Sequence, residues 1–281
     1  MAKVLILSVK YLIFVVDKFI WHMRLTKVTF LVAVLSAVIS CGAPDDYSFQ
    51  YITFKETIPY TQGEQHPSYS FDISVLHANG SDSAFSSAFN RDISGLLFGA
   101  PQDDVRDAMI KYIDLRITQF RDEIRELKEY DRENGYTTSD IDYVYSLRTD
   151  VANGNGSDII NCNILIYEYT GGAHGASFKT CRNYMTDGTL ITPDDYFVNG
   201  YREKLVPVLE KELFRIAGCT ERSQLDEKGF FSNTEMYVPD NFIIGKDSVT
   251  FIFNQYEIGP YSSGIVELKI ANSDMPAHII R

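Results

Sequence analysis

The sequence predicts an α+β protein in which antiparallel sheets are combined with one long and one shorter helix. Alternating aromatic and polar residues near the start are typical of strands, and a strong helical repeat at about 102–133 separates them from further strand-like segments after residue 140. The 281 residues, 45% of them hydrophobic, suffice for one large domain or two ordinary ones. We therefore expect an N-terminal α+β region, 51–150, and a C-terminal α+β domain, 151–281.

The N-terminal region is expected to hold two strands and the long helix. YSFQYITFKE at 47–56 and YSFDISVL at 69–76 have strand character, whereas the polar segment 79–85 predicts a loop. The apolar face of the helix is formed by Val105, Met109, Ile113, Ile117, Phe120, Ile124 and Leu127. Asp104 suits the start of this helix and Gly135 suits its end.

The C-terminal domain is expected to be rich in strands. Strand candidates are 142–151, 158–169, 177–184, two short segments within 241–253, and 264–270. The shorter helix is predicted at about 200–217 and ends at Gly218, and Pro207 requires either a kink or a start just before it. TPDD at 192–195 has the pattern of a helix N-terminus, and 219–240 is expected to be a long connection.

Residues 1–40 predict an export leader. Basic residues precede an apolar run that ends at Cys41, as in a secretory signal. The ending VISCG resembles a bacterial lipobox, which implies cleavage before Cys41 and its modification with acyl chains such as palmitate. Charged side chains interrupt residues 1–22, so we expect translation to start at Met23, with a long leader as the alternative. Residues 41–50 predict a tether, and the protein is expected in the cell envelope, at the periplasmic face or the cell surface.

The formal charge of −12 limits the classes of partner. Residues 1–40 carry five basic side chains and one acidic side chain, so the remainder has a formal net charge of −16. Such a chain is a poor match for nucleic acid and suits a cationic partner, although acidity is also an ordinary route to solubility. Trp21, the single tryptophan, lies in the leader, which weakens the interpretation as a tryptophan-lined sugar binder.

The sequence predicts no metal centre, no cofactor and no catalytic motif. The histidines outside the leader are not at metal-ligand spacing, and phosphate loops and nucleophile elbows are absent from the sequence. A pair of carboxylates acting as acid and base stays open as an alternative. Cys162 and Cys181 flank a predicted hairpin, so they are candidates for a disulfide that would leave Cys219 unpaired.

Two glycine-containing motifs lie in the C-terminal domain, YTGGAHG at 169–175 and YEIGPYSSG at 256–264. In the first motif, Gly171 and Gly172 permit positive φ angles in a tight turn. The alternative is an anion-binding nest of backbone N–H groups with His174 at its edge.

The second motif contains candidate residues for binding a partner: Tyr256, Pro260 and Tyr261. Pro260 stiffens the loop, and Tyr261 offers a flat ring with a polar tip, which is typical of an interface anchor. Two conformations stay open: a protruding Pro260–Tyr261 tip, or a Tyr261 that folds back onto the sheet.

Together with Asp187-Gly188 and the start at Thr192, these motifs resemble a family of bacterial envelope domains of the DUF3298 type, preceded by a DUF4163-type region. The family occurs in the extracellular part of the lysozyme-sensing anti-sigma-V factor and in the non-catalytic region of a peptidoglycan deacetylase. The resemblance covers roughly residues 50–275 and implies a sensing or binding module.

We therefore expect a lipid-anchored envelope domain that binds a lysozyme-like muramidase or another cationic protein without catalysis. One alternative is recognition of peptidoglycan glycan by the many tyrosines. Another is a wall-acting hydrolase or deacetylase-related enzyme in which His174 takes part.

Overall fold

The computed structural model describes residues 48–80, 83–136, 141–154, 158–232 and 234–281. The predicted leader, the lipidation candidate Cys41 and most of the predicted tether lie outside these residues. Within the described ranges, no helix has the length and apolar character needed to cross a membrane.

Six strands form the first sheet, and their spatial order follows the sequence. Strands β1 to β6 are Phe49–Pro59, Ser68–Ala78, Tyr143–Asn153, Ile159–Tyr169, Ala176–Met185 and Leu190–Ile191. Neighbours are antiparallel except β2 and β3, which run parallel because two helices connect them and return the chain to the same end of the sheet. The predicted α+β class with antiparallel sheets is therefore confirmed, with this one parallel pair as the exception. Because β3 crosses residue 150, the expected boundary between 51–150 and 151–281 falls inside a strand.

The long helix α2 (Val105–Asn134) confirms the prediction at about 102–133. Asp104 caps it by accepting a hydrogen bond from the N–H of Asp107, and Gly135 ends it in the left-handed conformation. Its apolar face packs on the first sheet through Val105, Met109, Ile113, Ile117, Phe120 and Ile124, which are all buried.

The helix before it, α1 (Ala84–Phe98), was not predicted. The polar segment 79–85, expected to be a loop, contains its N-terminal cap: the hydroxyl of Ser83 accepts from the N–H of Ser86 at 3.0 Å. Phe89, in the following turn, is fully buried. The small polar residues therefore start a helix because they satisfy its first N–H groups.

The remaining chain forms a second layer. Helices α3, α4 and α5 are Pro193–Tyr196, Tyr201–Ala217 and Arg222–Glu227, and the antiparallel strands β7, β8 and β9 are Phe242–Ile244, Ser248–Phe253 and Val266–Ala271. Helix α4 confirms the prediction at about 200–217, and it begins at Tyr201 with Pro207 inside it, so a start just before Pro207 is wrong. The predicted helix start at TPDD is confirmed by a capping box between Thr192 and Asp195.

Side-chain amides attach the second sheet to the first. Asn183 of β5 donates to the carbonyl of Phe242 at 2.9 Å and accepts from the N–H of Ile244 at 3.0 Å. Asn161 of β4 donates to the carbonyl of Ile244 at 2.9 Å. Both asparagines are buried, so strand β7 obtains hydrogen bonds from side chains where a neighbouring strand would otherwise supply them.

Three further amides reach in the opposite direction and cover the edge of β5. Asn241 donates to the carbonyl of Lys179 at 2.7 Å, and Asn254 accepts from the N–H of the same residue at 2.7 Å. Gln255 accepts from the N–H of Ser177 at 2.7 Å. We call the whole set the amide clamp; its members are Asn161, Asn183, Asn241, Asn254 and Gln255.

The candidate disulfide between Cys162 and Cys181 is not formed, because both cysteines are free and buried. The predicted hairpin exists, but its register pairs Cys162 with Arg182 and Cys181 with Asn163. Directly paired residues share a face of the sheet and successive residues alternate between faces. The two sulfur atoms therefore lie on opposite faces, where no bond can form.

Replacing Asn183 with alanine tests the amide clamp. The change leaves a buried carbonyl and a buried N–H of β7 without partners. We expect the free energy of unfolding to fall by about 2–4 kcal/mol in urea denaturation. The matched control is Asn163→Ala on the neighbouring strand; the Asn163 amide donates to the exposed Asp150, and we expect a loss below about 1 kcal/mol there. Equal losses in both variants would contradict the role of the clamp.

Thiol labelling tests the state of the cysteines. Burial raises the pKa of the Cys181 thiol to about 12 and also raises the pKa of the Cys162 thiol. Because the thiolate is the reactive form, we expect neither to react with iodoacetamide at pH 8 in the folded protein, and both to react after unfolding. A cross-linked Cys162–Cys181 peptide in a non-reducing digest would contradict the placement of the two thiols on opposite faces of the sheet.

Candidate functional site

The two glycine-containing motifs, far apart in sequence, meet in space. The first lies in the turn between β4 and β5, and the second lies in the loop between β8 and β9. The rings of His174 and Tyr261 stack, with centroids 3.7 Å apart and planes inclined by 21°. The Tyr256 ring lies 5.8 Å from that of Tyr261 and 6.5 Å from that of His174. We call His174, Tyr256 and Tyr261 the aromatic cluster.

Tyr261 folds back onto the hairpin between β4 and β5. Its hydroxyl donates to the carbonyl of Gly175 at 2.9 Å, and its ring is half-buried against His174. Pro260 is also half-buried and lies beside Gly229. Of the two conformations that the sequence left open, the protruding Pro260–Tyr261 tip is therefore wrong.

Together with the exposed His174, Tyr256 presents the cluster to solvent. Its side chain is 62% exposed, and its φ angle is +68°, a backbone conformation that bulky residues seldom adopt. Its hydroxyl lies 3.4 Å from Nε2 of His174, while Nδ1 of His174 lies 3.3 Å from the carbonyl oxygen of Gly175. A neutral imidazole with its proton on Nδ1 satisfies both contacts, donating to the carbonyl and accepting from the tyrosine.

The amide clamp places the second motif against the first. Asn254 and Gln255 directly precede Tyr256, and both bond to the backbone of β5 beyond the first motif. The two residues before Tyr256 are therefore both attached to β5, which determines where Tyr256 lies. The same two bonds account for the strained backbone of Tyr256, since local strain persists where surrounding contacts hold it.

The glycines of the first motif form a turn. Gly171 and Gly172 have φ angles of +93° and +95°, and the carbonyl of Gly172 accepts from the hydroxyl of Tyr169 at 3.1 Å. These angles confirm the predicted tight turn with positive φ at both glycines. The interpretation as an anion-binding nest with His174 at its edge stays a prediction.

Tyr167 extends the aromatic surface and was missed in the sequence. Its ring covers the buried Gly175, where a Cβ atom would lie 2.5 Å from the tyrosine hydroxyl oxygen. Tyr167 is 39% exposed, and Leu165 on the same face of β4 is 46% exposed. The sequence signal that could have identified it is the pair of apolar residues Leu165 and Tyr167. They lie on the face of β4 opposite to the buried Ile164.

One carboxylate, that of Glu257, lies beside the aromatic cluster. The exposed Glu257 follows Tyr256 and accepts a hydrogen bond of 3.3 Å from the hydroxyl of Tyr237. Burial, reinforced by the negative charge of Glu257, raises the pKa of Tyr237 to about 12. The phenol of Tyr237 therefore stays neutral and donates to the carboxylate over the physiological pH range.

The described residues contain several polar contacts that resemble parts of catalytic sites. Nδ1 of His66 lies 2.6 Å from Asp142, but the hydroxyl of Ser68 donates to that same carboxylate and is not aligned with the imidazole. Glu168, the acid nearest to His174 in sequence, pairs with Arg116 of α2. Across the described ranges, no three His, Cys, Asp or Glu side chains are arranged to hold a metal ion.

Two family models match different parts of the chain. Residues 62–177 match the model of the deacetylase PdaC, and residues 194–273 match the model of DUF3298, a protein family of unknown function. The chain is thus similar to the PdaC model in its first part and to DUF3298 in its second part, which confirms the resemblance seen in the motifs. His174 lies in the first match, whereas Tyr256 and Tyr261 lie in the second. No curated protein matches the chain.

Solved structures share the fold. A DUF3298 family member from Bacteroides fragilis has a TM-score of 0.74 and 24% sequence identity, over 84% of this chain and 94% of that one. A DUF3298 family protein from Pseudomonas aeruginosa PAO1 has a TM-score of 0.54 and 18% identity, over 83% of this chain and 94% of that one. At these identities, the likeness concerns the fold alone.

Proposed function

We propose that this chain is an envelope domain that binds a cationic protein of the lysozyme-like muramidase type through the aromatic cluster, without catalysis. The observation that carries the proposal is the meeting of both motifs in one group of three rings, with the Tyr256 ring exposed. The two family matches suggest an envelope-associated domain and support the location.

The geometry of the aromatic cluster suits the binding of a protein surface. Tyrosine supplies a large apolar ring with few rotatable bonds, so little side-chain entropy is lost when a partner covers it. The stacked His174 and the hydrogen bond from Tyr256 reduce that loss further, because the rings are already ordered in the free protein. Tyr167 and Leu165 add exposed apolar surface beside the cluster.

The charge favours a cationic partner. The chain beyond residue 40 has a formal net charge of −16, and the exposed Glu257 directly follows Tyr256. An acidic surface accelerates association with a basic protein, and this acceleration weakens as salt screens the charges.

A binding role without catalysis is supported by the partners of the polar groups at the site. Both ring nitrogens of His174 face a backbone carbonyl or a tyrosine hydroxyl, and Glu168 is paired with Arg116. His174 is exposed, but a proton transfer at either ring nitrogen would first have to break one of these contacts. Turnover of muropeptides that disappears in His174→Ala would favour the enzyme alternative.

The proposal includes a lipid anchor at Cys41, supported by the lipobox-like sequence VISCG. Acyl chains on this cysteine would hold the domain at a membrane surface, with residues 42–48 as a short tether before β1.

Replacing Tyr256 with alanine tests the aromatic cluster. We expect the affinity for purified lysozyme, measured by calorimetry at low salt, to fall at least about tenfold, because a central aromatic anchor is lost. The matched control is Tyr130→Ala on α2, which removes another tyrosine that is 56% exposed and should change little. We also expect wild-type affinity to fall steadily as sodium chloride is raised.

Absent or salt-insensitive binding of lysozyme by the wild type would contradict the proposed partner. If the wild type then sediments with purified cell wall and Tyr256→Ala does not, the result would favour peptidoglycan glycan as the ligand. The exposed Tyr256 ring would then stack on a sugar.

Metabolic labelling tests the anchor. We expect radiolabelled palmitate to enter the full-length protein in its host and not the Cys41→Ala variant, in which no thiol is available for acylation. Equal labelling of both proteins, or labelling of neither, would exclude lipidation at this residue.

A further inference from the structure

A cavity adjoins the second motif on the α5 side of the molecule. Its volume is about 510 Å³, and its lining residues are Arg222, Asp226, Phe230, Phe231, Ser232 and Glu235. Phe230 and Phe231 form an apolar wall, and the charged side chains lie at α5 and in the segment that follows it. The cavity therefore combines aromatic and ionic groups next to the loop that carries the aromatic cluster.

The second motif and the cavity wall are in direct contact. The N–H of Phe231 donates to the carbonyl of Ile258 at 2.8 Å, and Phe231 has a positive φ of 57°. A Cβ atom on Gly259 would lie 2.8 Å from the ring of Phe230. Glycine at this position of the motif is therefore required for the loop to pack against the cavity wall.

The cavity has an excess of negative charge. Arg222 pairs with Glu210 and Glu235 at 2.9 Å and with Asp226 at 3.3 Å, and its guanidinium lies 3.9 Å from the ring centre of Phe231. Of these carboxylates, Asp226 and Glu235 line the cavity, so one positive group faces two negative ones there. The side chains of Asp226 and Glu235 are 58% and 86% exposed, so both carboxylates remain accessible to a second cation.

We propose that this cavity receives a lysine or arginine side chain of the cationic partner. The inference rests on the proposed function for the kind of partner, and it assigns a second contact beside the aromatic cluster. Charge complementarity selects the occupant: the excess carboxylates neutralise an ammonium or guanidinium group, and the phenyl wall contacts its aliphatic stem. The contact of Arg222 with Phe231 shows that this wall already accommodates a guanidinium.

Two charge-matched double variants test the cavity. Asp226→Asn with Glu235→Gln removes both accessible carboxylates, whereas Glu221→Gln with Glu227→Gln removes two exposed charges from the same segment outside the cavity. We expect the first pair to weaken lysozyme binding at least about tenfold, and the second pair at most about threefold, through long-range attraction alone. Equal losses of affinity in both double variants would contradict binding of a basic side chain in the cavity, but would not contradict the proposed function.

A steric variant and a simple cation make the test independent of lysozyme. Ser232→Trp fills the cavity from its exposed rim without changing its charge, and thermal melting checks that the variant is folded. We expect a hexalysine peptide to shift the NMR signals of Arg222 and Phe231 in the wild type and not in Ser232→Trp. Shifts that persist in this folded variant, or that are absent from the wild type, would contradict binding of a basic side chain in the cavity. Shifts limited to the wild type support it even where lysozyme fails to bind, which would contradict only the proposed function.

Discussion

The rest of the structure depends on side-chain amides that replace a missing strand. An asparagine or glutamine side chain carries the same donor and acceptor as a peptide group, so it can satisfy the edge of a sheet where no neighbouring strand is available. The amide clamp uses this property in both directions. Asn161 and Asn183 supply the backbone of β7, while Asn241, Asn254 and Gln255 supply the edge of β5. A long edge that would otherwise be open to another chain is covered, and the second sheet is held in one position.

The amide clamp explains how the two glycine-containing motifs come to lie together. Two of its members directly precede Tyr256, so the bonds that attach the second sheet also bring the second motif to the first. The resulting aromatic cluster is composite: His174 belongs to the PdaC-type match and Tyr256 to the DUF3298-type match. Neither matched region contains the whole cluster, and a domain boundary drawn between them would divide it.

The loop between β8 and β9 has a different neighbour on each part of its surface. Tyr261 packs on the first hairpin, and Gly259 packs on Phe230 at the edge of the cavity. Gly259 is needed because a larger residue would clash with Phe230, whereas Tyr261 is needed because its ring stacks on His174. The same short loop therefore adjoins ordered rings on one side and a cavity with two carboxylates on the other.

The sequence by itself determined most of the secondary structure. The strands, the long helix, the helix at Tyr201–Ala217 and the TPDD cap all depend on local periodicity and capping, which neighbouring residues specify. The family resemblance could also be identified from the two motifs in the sequence. Only the tertiary structure decided that β2 and β3 are parallel, that Cys162 and Cys181 lie on opposite faces, and that Tyr261 folds back while Tyr256 projects. These outcomes depend on strand register and on which distant backbone groups the amides reach, and a shift of one residue in register would reverse the face of every side chain.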